Sequence, residues 1–472
     1  MRGFSSQYVR LGLFVFVYTA AVAAMIQFIL LPRVFQAWHA GHGLIAGGDM
    51  PGHHALAMAQ AQRIRDAGWS AWTLRPGGQA PAGIASALYV LLASEPWTMI
   101  PLHAALHALA GVLVFAMLRR FRPVGKTAML AVGPLVLFPS AALWYSQLGK
   151  DGFSIAGYLA IITGWLFLIE LPEAAGPKHF GLVLGLFLVG LGLVWVVRPY
   201  ALELIWVFSG PVALGTIGAL IRRGARLGLS WTKVSAGSAI AITMFSALCF
   251  LSTGGYEPEA PPSSAPITET APTPVIGDDE ADQALIPGDT TYVGTVVWKR
   301  TTWLPSFIDD RLYSLAVART GFTNLFPLAA SNIDEQIGFG NAADVVAYLP
   351  RAAAIGLVYP TPPQWFGEGS LPQNTVMRRI SGFEMTVAYL GLLLLPYAMW
   401  RWRTRLALWL LLVFNLGMLI AHALVVANLG TLYRLRYPYF MSLVSLGLLS
   451  GMAWYFDRRN AKTSVFSQPG EA

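Results

Sequence analysis

Hydrophobic and polar positions alternate along this chain in blocks the length of whole helices. Apolar runs begin near residues 11, 98, 127, 152, 179, 201, 234, 382, 406 and 437, each close to the roughly 20 residues a helix needs to cross the hydrocarbon of a bilayer. Lipid offers backbone groups no hydrogen-bond partners, so such runs must satisfy themselves as helices. The pattern therefore predicts an all-α, polytopic membrane protein of about ten spans. Basic residues cluster on alternate connections: Arg119, Arg120, Arg122 and Lys126; Arg222, Arg223, Arg226 and Lys233; Arg401, Arg403 and Arg405; Arg458, Arg459 and Lys462. The positive-inside rule puts these connections in the cytoplasm, together with both termini, Arg2 and Arg10. The opposite set faces out. It holds Asp49, Arg75, Lys150 with Asp151, Arg198, the stretch 252–380, Arg434 and Arg436.

Three regions follow: residues 1–251 with seven spans, an outward loop over 252–380, and residues 381–472 with three spans. The first span, about Leu11 to Leu31, is too long for the apolar core of a cleaved signal peptide and reads as a retained signal anchor. Pro81 to Ala93 is apolar but too short to cross, so it reads as a re-entrant or interfacial helix over the outer ends of the bundle. Before it, Ala57, Ala61, Ile64 and Gly68 share one helical face while Arg63, Arg65 and Asp66 point elsewhere, as in a helix lying on the membrane surface. Residues 252–290 are rich in Pro, Ser, Thr and acid and predict a flexible linker. Aromatics return over 291–380, which predicts an ordered crown packed on the outer mouth of the bundle.

Composition sharpens this. Hydrophobic residues make up 55% of the chain, charged residues only 12%, and the mean hydropathy is +0.55, whereas charged residues alone make up about a quarter of a soluble domain. The net charge of +8 sits largely in the cytoplasmic connections, so topology explains it and no nucleic-acid partner is implied. Cys249 is the single cysteine. That excludes an internal disulfide and a thiolate zinc site.

The segments GGDMPGHHALA and LRPGGQAPAGIASALYVLLA, followed by a span ending in LRRF, resemble the membrane-embedded glycosyltransferases of the C superfamily, which take sugars from polyprenyl-phosphate carriers and include mannosyl- and arabinosyltransferases. The similarity continues in FPSAALWYSQLGKDGFSIAGYL and YRLRYPYFMSLVSLGLLSG. Asp49 matches the family's acidic position after the first span, and Arg75, Pro76 and Gly77 match its turn. The chain diverges from the pattern at Met50, where a second acid is usual, and at Gly78, where a tyrosine is usual. The resemblance implies a polyprenyl-phosphate lipid donor, a glycan or lipid acceptor, and a multi-pass protein of a bacterial inner membrane.

Sugar transfer from a lipid phosphate needs a carboxylate to take the acceptor's proton and cations to hold the departing phosphate. Asp49 is the candidate base. Arg75, Lys150, Arg198, Arg434 and Arg436 are candidate phosphate-binding residues, each near the headgroup end of an apolar run. Each also has a plainer reading. Outward arginines at helix ends often only snorkel, Asp49 between glycines and Pro51 suits a helix N-cap, and Lys150 with Asp151 suits a local capping pair. Asp49 with His53 and His54 is a candidate for a divalent cation, but such cations prefer carboxylate-rich sites, so no metal ligand is assigned. His103 and His107 share a helical face and are expected to hydrogen-bond across helices, a proton relay or quinone site being the sharper alternative. Glu203 and His422 are intramembrane ionisable groups of the same standing. No Walker, dinucleotide or zinc-protease motif is present.

Two other function classes compete. A polymerase or ligase acting on lipid-linked glycans also has about ten spans and a large outward loop, although here that loop contains no histidine. A transporter or assembly subunit would show inverted repeats and broken helices. No repeat is evident, but Gly133-Pro134 and Gly210-Pro211 interrupt two spans.

Overall fold

A computed structural model describes residues 2–253, 296–325 and 329–466 of the chain. The linker expected over 252–290 lies almost wholly outside the described residues. Among the described residues the regular structure is helical, with two isolated β-bridges, so the all-α expectation holds.

The helices run α1 (Arg2–Met25, continuing as a π-helix over Ile26–Val34), α2 (Met50–Ala67), α3 (Ala80–Leu91), α4 (Ile100–Phe121), α5 (Gly125–Leu137), α6 (Pro139–Ser146), α7 (Asp151–Ile169), α8 (Pro177–Val197), α9 (Ala201–Leu227) and α10 (Trp231–Thr253). After the undescribed stretch come α11 (Ser306–Leu325), α12 (Ala342–Val358), α13 (Pro362–Trp365), α14 (Pro372–Arg401), α15 (Leu406–Val425), α16 (Leu429–Leu435) and α17 (Tyr437–Phe466). Among the described residues nine helices are long and apolar enough to cross a membrane. The remaining predicted run, from residue 127, is broken: α5 and α6 meet at a bend of 59°.

Pro139 causes the break. It has no N–H to give to Leu135, four residues back, and Phe138 before it is held extended. The groups left over are satisfied from the far end of the chain. The Tyr437 hydroxyl donates to the Leu135 carbonyl at 2.9 Å, and the Ser140 amide donates to Glu384 Oε1 at 2.7 Å.

All spans share one core, centred on α7, whose residues are buried from end to end. It packs against α4, α8, α9, α15 and α17. The α7/α8 crossing is close because Gly157 and Gly190 face each other, and a Cβ on Gly190 would sit 2.6 Å from the Gly157 carbonyl. Small residues at such crossings allow the backbone contact that drives helix association in lipid. Large apolar side chains stay exposed around the rim, among them Leu13, Leu188, Phe250 and Leu393, as a lipid-facing surface requires.

The two ends of the bundle differ. At one end, Asp457 bridges Arg122 and Arg401, and Arg405 reaches Glu170 and the Arg120 carbonyl. The other end carries α2, α3 and a crown with its own core, built from α11, α12 and the outer end of α15 around Phe322, Tyr348, Ile355 and Leu424. Arg351 and Tyr348 both bond Asp334 in this crown and hold its carboxyl below the ordinary range. The helix expected on the membrane surface packs its Ala57, Ala61 and Ile64 face against α3 and its surroundings. The boundary expected at residue 380 falls inside α14, which rises two polar turns out of the bundle into the crown before any apolar run begins.

Candidate functional site

A cavity of about 260 Å³ opens at the crown end, where the first long connection, α6, α14, α16 and the crown converge. Carboxamides dominate its polar lining (Gln147, Asn332, Gln364, Gln373, Asn374 and Asn428), with Trp144, Tyr433, Arg378 and Arg434. Among the described residues no carboxylate lines it. Flat aromatic faces and fixed amide donors and acceptors suit a polyhydroxylated ligand, and two guanidinium groups suit an anionic one.

Local sequence builds each wall. Because Pro139 breaks the third span, α6 tilts away and presents Ser140, Leu143, Trp144 and Gln147 to the cavity. Gln147 then pins the first connection: its Oε1 accepts from the Ile45 amide at 2.9 Å, while Gln373 on α14 donates to the Ala46 carbonyl at 3.0 Å. Gly41, Gly43 and Gly47 in this connection have positive φ, and a Cβ on Gly43 would overlap the Gln27 backbone. The segment is thus a tight turn lying directly on the π-helical continuation of α1, and at residue 43 that approach needs glycine. On the opposite wall Asn428 caps α16 through Thr431 and ties it to Ser331 and Asn332 of the crown.

The six residues picked out by sequence divide. Arg434 lines the cavity. Behind it Asp151, fully buried, receives Arg198 Nη2 at 2.9 Å and faces Arg434 Nη1 at 3.9 Å, and Arg198 also donates to Ser154 Oγ at 3.1 Å. Lys150 is buried beside them at the head of α7. Asp49 is carried to the rim, between the lining residues Gly48 and Met50, but does not itself line the cavity. It occupies the N-cap position of α2 without making a side-chain capping bond.

Arg75 and Arg436 go elsewhere. Arg75 donates to the carbonyls of Trp195 (2.5 Å) and Val196 (3.1 Å) at the end of α8 and lies 4.3 Å above the Trp195 ring. Arg436, 1% exposed, donates to Ile355 at 3.0 Å, to Gly356 at 2.8 Å and to Tyr359, all at the end of α12. Burial pushes its guanidinium down to about 10. The last carbonyls of a helix have no intrahelical donor and carry partial negative charge, so a buried guanidinium completes them. The structure therefore gives both residues a helix-clamping contact in place of a cavity-lining one.

Sequence reasoning missed Glu384. It is fully buried in α14, accepting from the Ser140 amide and, at 2.8 Å, from the Tyr433 hydroxyl, and both of those residues line the cavity. The signal was present: Glu384 is a lone acid at the start of an apolar run, the same mark that drew notice to Glu203 and His422. Those two have local roles. Glu203 pairs with Arg311 of α11, and His422 bonds the Met418 carbonyl of its own helix. His107 bonds Thr19 across to α1 at 2.8 Å, as expected of an interhelical contact.

The divalent cation fares worse. His53 uses one ring nitrogen on the Leu148 carbonyl and the other on Gln79. His54 bonds Tyr89 and its ring lies 4.6 Å from that of His42 at a 45° tilt, and burial followed by the His42 charge holds its imidazole below the usual range. No group of three or more His, Cys, Asp or Glu side chains able to hold a metal occurs among the described residues. This donor set does not fit a divalent cation. No protein-family model, curated protein or solved structure matches the chain.

Proposed function

We propose that this protein is a membrane glycosyltransferase that moves a sugar from a polyprenyl-phosphate donor to a glycan or lipid acceptor. The positive-inside rule turns the crown end out of the cytoplasm, toward the periplasmic or extracellular face. The observation that carries this reading is the composition of the cavity. A sugar ring would rest among Trp144 and the carboxamides, and the donor phosphate would meet Arg434. Asp151, which pairs with Arg198 and faces Arg434 at 3.9 Å, would orient that guanidinium toward the charge that builds on the departing phosphate. The acceptor's proton needs a carboxylate, and the carboxylates near the cavity include Asp49 at its rim and Glu384 behind Ser140 and Tyr433.

The broken span also favours a second reading, since transporters use discontinuous helices at their binding sites. One experiment separates the two. Purified protein in liposomes, given polyprenyl-phosphate-linked radiolabelled hexoses and pentoses with a membrane-lipid acceptor extract, should release polyprenyl phosphate and label the acceptor. Labelled sugar-lipid that changes leaflet with its phosphate bond intact would reject transfer and favour transport.

A further inference from the structure

Resting on the sugar-transfer reading of this cavity, we infer that the acceptor's proton leaves through the Tyr433 hydroxyl to Glu384, and that Asp49 is not its destination. Transfer requires a base within hydrogen-bond reach of the attacking hydroxyl, directly or through one intermediary. Among the described residues no carboxylate lines the cavity; Glu335 contacts lining Asn332 and Asp151 faces lining Arg434, groups that cannot relay a proton, whereas Glu384 is reached through the Tyr433 hydroxyl, which both accepts and donates one. A fully buried acid in a membrane span is costly to retain and is a functional group by default.

The hydrogen bonds define the direction of proton flow. Glu384 Oε1 accepts from the Ser140 amide, which can only donate, and Oε2 accepts from Tyr433. With its own hydrogen committed to Glu384, the Tyr433 oxygen offers lone pairs to anything docked against it. A sugar or lipid hydroxyl there becomes the donor. As the acceptor oxygen attacks the anomeric carbon, the bond from that carbon to the donor phosphate oxygen breaks and its electron pair stays on the phosphate. The acceptor's proton passes to Tyr433 while the proton of Tyr433 passes to Glu384, and the reverse route returns it to the cavity after product release. Net charge at the pair changes only at Glu384.

The surroundings contain few competing charges. Tyr437, also near Glu384, has its hydroxyl on Leu135. Arg436 lies across the Tyr433 ring at 5.3 Å with its guanidinium on α12 carbonyls. The Ser140 contact has a second consequence: the bond that ionised Glu384 needs also holds α6 in place, so the broken span and the proton acceptor are one device.

The test measures transfer from polyprenyl-phosphate-linked radiolabelled hexoses and pentoses in liposomes between about pH 5 and 9, a range that brackets carboxylate and histidine titration. Tyr433→Phe and Glu384→Gln should each lower kcat by about 10²-fold while donor KM stays within about threefold. The wild-type rate should fall at low pH as Glu384 takes up a proton, and Glu384→Gln should lack that fall. Glu384→Asp should recover part of the rate together with the fall. The relay is overturned if either Tyr433→Phe or Glu384→Gln transfers within about threefold of wild type. It is equally overturned if Glu384→Gln loses donor affinity and thermal stability in parallel with rate while keeping the low-pH fall, the outcome of scaffolding alone. In those cases wild-type transfer leaves the glycosyltransferase reading standing. Absence of polyprenyl phosphate release by wild type sinks that reading and the relay with it.

Discussion

Two pairs of arginines at the same end of this bundle do different work. Arg198 and Arg434 face the buried carboxylate of Asp151 beside the cavity, whereas Arg75 and Arg436 lie on the closing carbonyls of α8 and α12. All four stand near the ends of apolar helices, and nothing in residue type separates them. What separates them is which negative partner lies within reach. Helix C-termini and carboxylates both attract a guanidinium. A carbonyl clamp uses the side chain's donors on backbone that must be satisfied for the fold to stand. A carboxylate partner such as Asp151 neutralises charge yet leaves part of Arg434 at the cavity wall. Arginine depth in a membrane protein therefore marks a headgroup-level site only where the neighbouring helix ends are otherwise capped.

Removing the most deeply buried clamp should cost most. Arg436→Ala leaves the Ile355, Gly356 and Tyr359 carbonyls without their charged donor in a dry site, and hydrogen bonds to charged groups are worth about 1.5–3 kcal/mol each. Thermal unfolding in detergent should show a loss of about 3 kcal/mol or more, with donor binding lost only as the protein unfolds. Unchanged thermal stability with impaired donor binding would move Arg436 into the other pair.

Arg434→Gln should act in the opposite way. Asp151 keeps Arg198 as a partner, so stability should stay within about 1 kcal/mol of wild type. On the proposed transfer reading donor KM should rise by about 10- to 100-fold, because the contact proposed to hold the donor phosphate in the ground state is removed. A fall in stability that matches the loss of donor affinity would erase the distinction between the two pairs.

How far the sequence carries can be seen in the same residues. The nine spanning helices among the described residues were legible because about 20 apolar residues in a row have few other uses, and arginine counts give the expected side of each connection. Arg434 and Arg436 were legible as a pair but not as individuals. Residues two apart on a helix do not share a face, so at most one could line a given cavity, and only tertiary packing decides which. The break at Pro139 was hidden because proline is tolerated in spans whenever something else satisfies the freed groups. Those groups come from Glu384 and Tyr437, 244 and 302 residues from their partners, a distance over which local pattern carries no information. The cavity's carboxamides were invisible for the same reason: Gln147, Gln373 and Asn428 are unremarkable singly and meet only when three connections fold over one another.

Arg75 supplies the smallest effect and the sharpest check. Its clamp on α8 is only partly buried, so water can replace some of what is lost, and Arg75→Ala should destabilise by about 1 kcal/mol. Arg75→Lys should recover little of this, because an ammonium lacks the planar fork that spans two carbonyls and stacks on Trp195. Both variants should leave donor KM and kcat within about twofold of wild type. The turn matched by Arg75, Pro76 and Gly77 then serves to dock α3 against α8, and its likeness to a family motif reflects packing. If Arg75→Ala instead raised donor KM tenfold or more with thermal stability intact, the guanidinium would have to leave the carbonyls to meet phosphate. The clamp would then be a resting position, and helix ends could no longer be used to tell structural arginines from ligand-binding ones in this protein.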